Sequence, residues 1–132
     1  MPLVDPRSLK NLQGVHPDLV NVAHRGFELT AVPFIITEGV RTIERQRQLV
    51  AAGASQTMRS RHIPGPSGFS HAFDVAAKVG GVIRWDWPLY ERIAVAMKAA
   101  ARDIGVPIEW GGDWRSFKDG PHYQLPWDKY PG

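Results

Sequence analysis

The sequence predicts an α+β fold, a small antiparallel sheet with helices packed on it, and three features lead to that class. Leu89, Ile93, Ala96, Met97, Ala100 and Ile104 form an apolar stripe at helical spacing, which marks one dominant helix. Residues 73–79 and 82–85 flank Gly80-Gly81, the signature of a two-residue hairpin loop. Helical stretches precede and separate the strand-like runs instead of alternating with them regularly, which disfavours a parallel α/β sheet.

Taken in order, residues 1–15 read as an irregular arm. His16-Pro17-Asp18 then starts a helix, with proline near the first helical position and an acid in the first turn. Leu19, Val20, Val22, Ala23 and Phe27 supply its apolar face. Residues 33–37 form a short buried strand. Thr42 caps a second helix over 43–52, which Gly53 ends.

Residues 53–72 form a long loop rich in glycine, proline and serine, and long loops in compact domains are often functional. Asp86-Trp87-Pro88 opens the dominant helix, and Gly105 with Pro107 stops it. Residues 106–110 and 122–125 are expected to be two further strands joined through Gly111-Gly112. Residues 126–132 make a proline-bounded tail. The whole chain, 1–132, is expected to be a single domain.

Composition narrows the chemistry. Apolar residues make up 43% and charged residues 22%, ordinary values for a folded protein. There is no cysteine, so a disulfide scaffold and a thiolate metal site are excluded, and any metal must be held by nitrogen and oxygen. The net charge of +3 is spread along the chain without a basic stripe or nucleic-acid motif, which argues against nucleic acid as a partner. No stretch approaches the length of a membrane span, and the first residues lack the pattern of a secretory signal.

Three histidines and two aspartates fall in two clusters, Ser60-Arg61-His62 through His71 to Asp74, and Asp119-Gly120-Pro121-His122. A His/Asp set of this kind can bind one zinc and leave a carboxylate free to activate water. Asp74 and His122 lie on expected strands, which hold side chains accurately. His71 competes with His62 as a ligand. Residues three apart on a strand point to opposite faces, so His62, on a flexible loop, is preferred over His71 as the partner of Asp74. Asp119 follows as the carboxylate beside the nucleophile. Trp110 and Trp114 stand near this cleft, either as an aromatic wall or as core.

The spacing Ser60-x-His62, Ala72-x-Asp74 and Asp119-x-x-His122 resembles the signature of the M15 zinc peptidases. Within them it is most similar to the phage and bacterial L-alanyl-D-glutamate endopeptidases, which cut peptidoglycan stem peptides. Glu38-Gly39-Val40-Arg41-Thr42, Gln46, Leu49, Trp85-x-Trp87-Pro88-Leu89-Tyr90 and Trp110-Gly111-Gly112-Asp113-Trp114 extend the match from about residue 13 to residue 125.

The resemblance implies the D-Ala-D-Ala carboxypeptidase/Hedgehog-type fold and a Zn2+ held by His62, Asp74 and His122. Asp119 is implied as catalytic base, and Arg41 as the group that polarises the carbonyl or binds a substrate carboxylate. Ser60 and Trp110 are expected to contact substrate. The implied protein is a monomeric phage endolysin that waits in the host cytoplasm, acts on the wall in the periplasm, takes a stem peptide as its partner and does not insert into membranes. A D,D-carboxypeptidase or dipeptidase of the same fold is the alternative chemistry, and a non-catalytic zinc-bearing wall-binding module the alternative class. Eleven residues separate His62 from Asp74, more than the family spacing. Either residues 63–70 bulge out with the ligands in register, or His71 substitutes.

Overall fold

The computed structural model describes residues 4–55 and 59–132. Helices α1 (Pro6–Leu12), α2 (Pro17–Leu29), α3 (Ile43–Ala51) and α4 (Trp87–Ile104) accompany strands β1 (Phe34–Glu38), β2 (Ala72–Val79), β3 (Val82–Arg84), β4 (Glu109–Trp110) and β5 (His122–Gln124). The strands form one antiparallel sheet in the order β1-β2-β5-β4. Strand β3 pairs with the far end of β2, opposite Ala77–Val79. The α+β expectation holds, and no helix among the described residues is long and apolar enough to cross a membrane.

Residues 4–15, the described part of the expected irregular arm, depart from that expectation. Asp5 caps α1, its carboxylate accepting from the Ser8 amide at 3.1 Å, and Pro6 occupies the first turn. A seven-residue helix is marginal alone, so tertiary contacts must hold it. Ser8 Oγ accepts from Ile36 N at 2.8 Å, and Asn11 Nδ2 donates to Ile36 O at 2.9 Å. The helix thereby satisfies the open edge of β1, a role usually needed wherever a sheet ends.

Strand parity divides the sheet into two faces. Phe73, Val75 and Ala77 of β2, with Tyr123 of β5, point into the core that α2 and α4 cover. Ala72, Asp74 and Ala76, with His122 and Gln124, therefore lie on the opposite face. That second face carries the polar groups. The Gly80-Gly81 turn has φ of 59° and 80°, a left-handed pair that side chains resist and glycine adopts freely. It joins β2 to β3 as the sequence predicts.

Tyr90 pins β3 to α4, its hydroxyl donating to Arg84 O at 2.7 Å and accepting from Ala77 N at 3.1 Å. Trp85 lies on the surface, 64% exposed, and stacks on the Tyr90 ring. The strand expected over 106–110 shrinks to Glu109–Trp110, because only these two residues find partners on β5.

Candidate active site

Asp74 and His122 sit directly opposite each other on β2 and β5. Cross-strand neighbours on one face have their Cβ atoms about 5 Å apart, so the sheet itself brings this pair together. His62 arrives from the loop. Its backbone carbonyl accepts from Arg41 N at 2.9 Å, and its amide donates to Ser60 Oγ at 3.2 Å. The ligating atoms of His62, Asp74 and His122 all lie within 4.8 Å of one another.

The lengthened loop bulges outward. His71 N donates to Arg61 O at 2.8 Å, closing a neck from which residues 63–69 project. The ring of His71 lies 5.5 Å from His16 and 6.5 Å from Tyr130, and it is not part of the His-Asp-His cluster.

The cluster could hold a cation. His62 Nδ1 lies 2.8 Å from Gly39 O, and His122 Nε2 lies 2.7 Å from Gln124 Oε1. Each ring is thus anchored through one nitrogen and aims the other at Asp74 Oδ1, at 3.2 Å and 3.1 Å respectively. Gly39 can reach His62 because it has no side chain: a Cβ there would stand 2.1 Å from Asn11 O. Burial disfavours the Asp74 carboxylate, yet His62 and His122 beside it hold its pKa well below the usual range. Burial likewise works against a charged His122, but the Asp74 hydrogen bond and charge raise its pKa. A metal ion can take the place of that proton, and the donor set suits zinc, with two imidazoles and one carboxylate.

Asp119 lies at the cluster's rim. Burial and the nearby Asp74 charge both raise its pKa, which makes it a better proton acceptor than an ordinary aspartate. Arg41 is nearly enclosed. Its Nε and Nη2 donate to Glu38 Oε1, its Nη1 donates to Gln46 Oε1 at 2.9 Å, and its Nη2 stands 3.7 Å from Asp74 Oδ2. A bulge in β1 between Ile36 and Glu38 turns Glu38 to face Asp74 and meet this guanidinium.

A cleft of about 840 Å3 opens over these groups, lined by Ser60, His62, Asp74, Asp119 and His122 among others. Trp110 is a correction. It is buried, donates its indole N–H to Gly120 O at 2.7 Å, stacks on Trp87, and does not line the cleft. Trp114 lines it instead, with its ring 5.2 Å from that of His122. Phe117 also lines the cleft and is 69% exposed. Its φ of 53° places a bulky residue in the left-handed region, at a cost of about 1 kcal/mol.

Sequence reasoning missed Gln124 and Glu109, although Gln124 lies two residues after His122 on the same strand face. The amide of Gln124 donates to Glu109 Oε1 at 2.9 Å, which fixes its oxygen toward His122.

Fold and site together define a class: an α+β hydrolase arranged round a cluster able to hold a metal ion. Comparison with known proteins makes this specific. A family model described as "Phage L-alanyl-D-glutamate peptidase" matches residues 3–125, and the chain belongs to that peptidase family. An L-alanyl-D-glutamate peptidase of Escherichia phage T5 is 33% identical over 116 residues, covering 85% of this chain and 81% of that protein. One of Listeria phage A118 is 38% identical over 103 residues, covering 78% of this chain but 34% of that longer protein. Among solved structures, the Serratia marcescens L-Ala D-Glu endopeptidase ChiX superposes with a TM-score of 0.89 at 50% identity, covering 96% of this chain and 92% of ChiX. The vancomycin-resistance D,D-dipeptidase VanXYg shares the fold alone, with a TM-score of 0.50 at 18% identity over 84% of this chain and 50% of its own.

Proposed function

We propose that this protein hydrolyses the L-Ala–D-Glu amide of peptidoglycan stem peptides as a monomeric phage endolysin acting on the host cell wall. The observation that carries the reading is the convergence of His62 Nε2 and His122 Nδ1 on Asp74 Oδ1 in a cleft bordered by Asp119. His62, Asp74 and His122 would hold zinc, which supplies Lewis-acid polarisation of the scissile carbonyl and a more acidic water.

The chain's own groups account for the rest. Asp119 takes a proton from the attacking water and hands it to the departing amine of D-Glu, so its raised pKa serves both transfers. Arg41, held rigid by Glu38 and Gln46, presents a permanent positive charge next to Asp74, where it can stabilise the oxyanion. Ser60 and Trp114 line the path of the substrate.

Digestion of purified peptidoglycan, followed by mass spectrometry, tests this. New N-terminal D-Glu ends that disappear with a chelator and return with zinc are the expected result. Release of D-Ala would transfer the activity to the D,D-peptidases, and wall binding without any cleavage would leave only a binding module.

A further inference from the structure

Among the described residues, Trp114, Phe117 and Trp127 are the large aromatic side chains that line the cleft. Two of them are engaged. Trp127 carries the guanidinium groups of Arg59 and Arg61, with Cζ atoms 4.1 Å and 4.0 Å from its ring centroid. The Trp114 ring lies 5.2 Å from that of His122. Phe117 differs. Among the described residues neither a ring nor a cation stacks on it, and it is 69% exposed. It belongs neither to the hydrophobic core nor to the apolar residues packed against that core.

Its backbone is nonetheless held in an unfavourable state. Among the described residues other than glycine, Phe117 has the only positive φ, 53°. A side chain this bulky takes up the left-handed region only where its surroundings impose it. The loop imposes it here. Gly111 O accepts from Trp114 N at 3.3 Å and from Asp119 N at 3.0 Å, which pinches the two ends of segment 114–119 together. A Cβ on Gly111 would stand 2.3 Å from Asp119 O, so the pinch requires glycine. At the same base, Lys98 Nζ of α4 pairs with Asp113 Oδ2 at 2.7 Å. Phe117 therefore projects from a firmly closed loop, two residues before Asp119. Two residues of chain span at most about 7 Å, so Phe117 stays beside the proposed base. Its packing within the fold does not repay the strain, and strain of this kind collects at active sites and ligand clamps.

We propose that Phe117 is a substrate-binding residue, whose ring closes on the hydrocarbon of the stem peptide next to the scissile amide. This rests on the reading that the cleft takes a stem peptide. At that bond the peptide offers the methyl group of L-Ala and the methylenes of D-Glu. A ring that stands in water gains free energy when such groups cover it. Covering most of one phenyl ring corresponds to about 10- to 100-fold in affinity.

The test compares zinc-loaded wild type, Phe117→Gly, Phe117→Asn and Phe117→Leu. It measures kcat/KM on a synthetic stem peptide, calorimetric affinity for the same peptide in an Asp119→Asn background, and the urea midpoint. Glycine and asparagine adopt the left-handed region readily, so both remove the ring without adding strain. Each should lower affinity and kcat/KM together by about 10- to 100-fold, mostly through KM, while the urea midpoint holds or rises. Phe117→Leu, which keeps apolar surface, should recover part of the loss. Unchanged affinity and cleavage in Phe117→Gly and Phe117→Asn would overturn the proposal and leave the peptidase reading intact. A midpoint that fell with the affinity would also overturn it, since the ring would then support the fold and not the ligand. Peptide affinity that depends on Phe117 would uphold the contact even if wild type cleaved nothing. Wild type that neither bound nor cleaved the peptide would overturn both readings.

Discussion

His122 Nε2 and Gln124 Oε1 lie 2.7 Å apart, two residues along the same strand face. Since the amide oxygen can only accept, this contact places a proton on Nε2, so Nδ1 is the nitrogen that turns to Asp74 and could serve a metal ion. The partner of this imidazole thus sits in the same short strand as the imidazole.

Replacing Gln124 with leucine should weaken zinc affinity by about 10- to 100-fold, because the imidazole loses the contact that sets its tautomer and orientation. Competition titration against a chromophoric chelator measures this without reference to catalysis. Gln124→Glu, which keeps an acceptor oxygen, should retain most of the affinity. Equal affinities for wild type and Gln124→Leu would show that the contact positions nothing.

Asp119→Asn should separate binding from chemistry. Its carboxylate is not one of the three groups that converge on the cation position, so metal uptake should remain stoichiometric. Removing a positioned acid–base group typically costs about 10²- to 10⁴-fold in rate. A variant that retained near-normal turnover in a stem-peptide assay would exclude Asp119 as the base.

His71 predicts a pH dependence of stability. Burial, then the charges of Arg61 and His16, push its pKa down to about 4 from an ordinary value of 6.5. Between these values the unfolded chain binds more protons than the folded one, so stability increases with pH across that window. The contribution is complete above about 6.5, declines as pH falls toward 4, and is flat below. Urea midpoints for wild type and His71→Gln should converge as pH drops through this range. Parallel curves would mean that His71 is not buried in its neutral form.

Ser8→Ala should cost about 1–3 kcal/mol, since it strands the buried Ile36 amide and removes half of the Asp5 cap. Chemical denaturation would show this as a shifted midpoint. A change below a few tenths would mean that α1 does little to protect the edge of β1.

Ser8 also illustrates what the sequence conceals. The stripe of α4 and the caps at His16 and Thr42 were legible because their signals lie within a turn or two of the residues they organise. The Asp5-Pro6 start of α1 carried a similar signal, but so short a helix depends on β1, nearly thirty residues away in sequence. Strand parity, applied to His122, would have revealed Gln124. Trp110 was placed wrongly because its indole partner, the Gly120 carbonyl, depends on how the loop after β4 returns. The Arg59–Trp127–Arg61 stack was invisible for the same reason: nothing local links residues 59 and 61 to the returning tail.

The 2.8 Å bond between His71 N and Arg61 O has a practical corollary. It works like a clasp on a purse: whatever hangs beyond it can grow or shrink while the two sides stay fastened. Residues 64–69 are mostly exposed, so short peptides or labels could be spliced in there with the imidazole of His62 left undisturbed. This chain therefore already carries, a few residues from its reactive centre, a port at which wall-targeting sequences could be grafted.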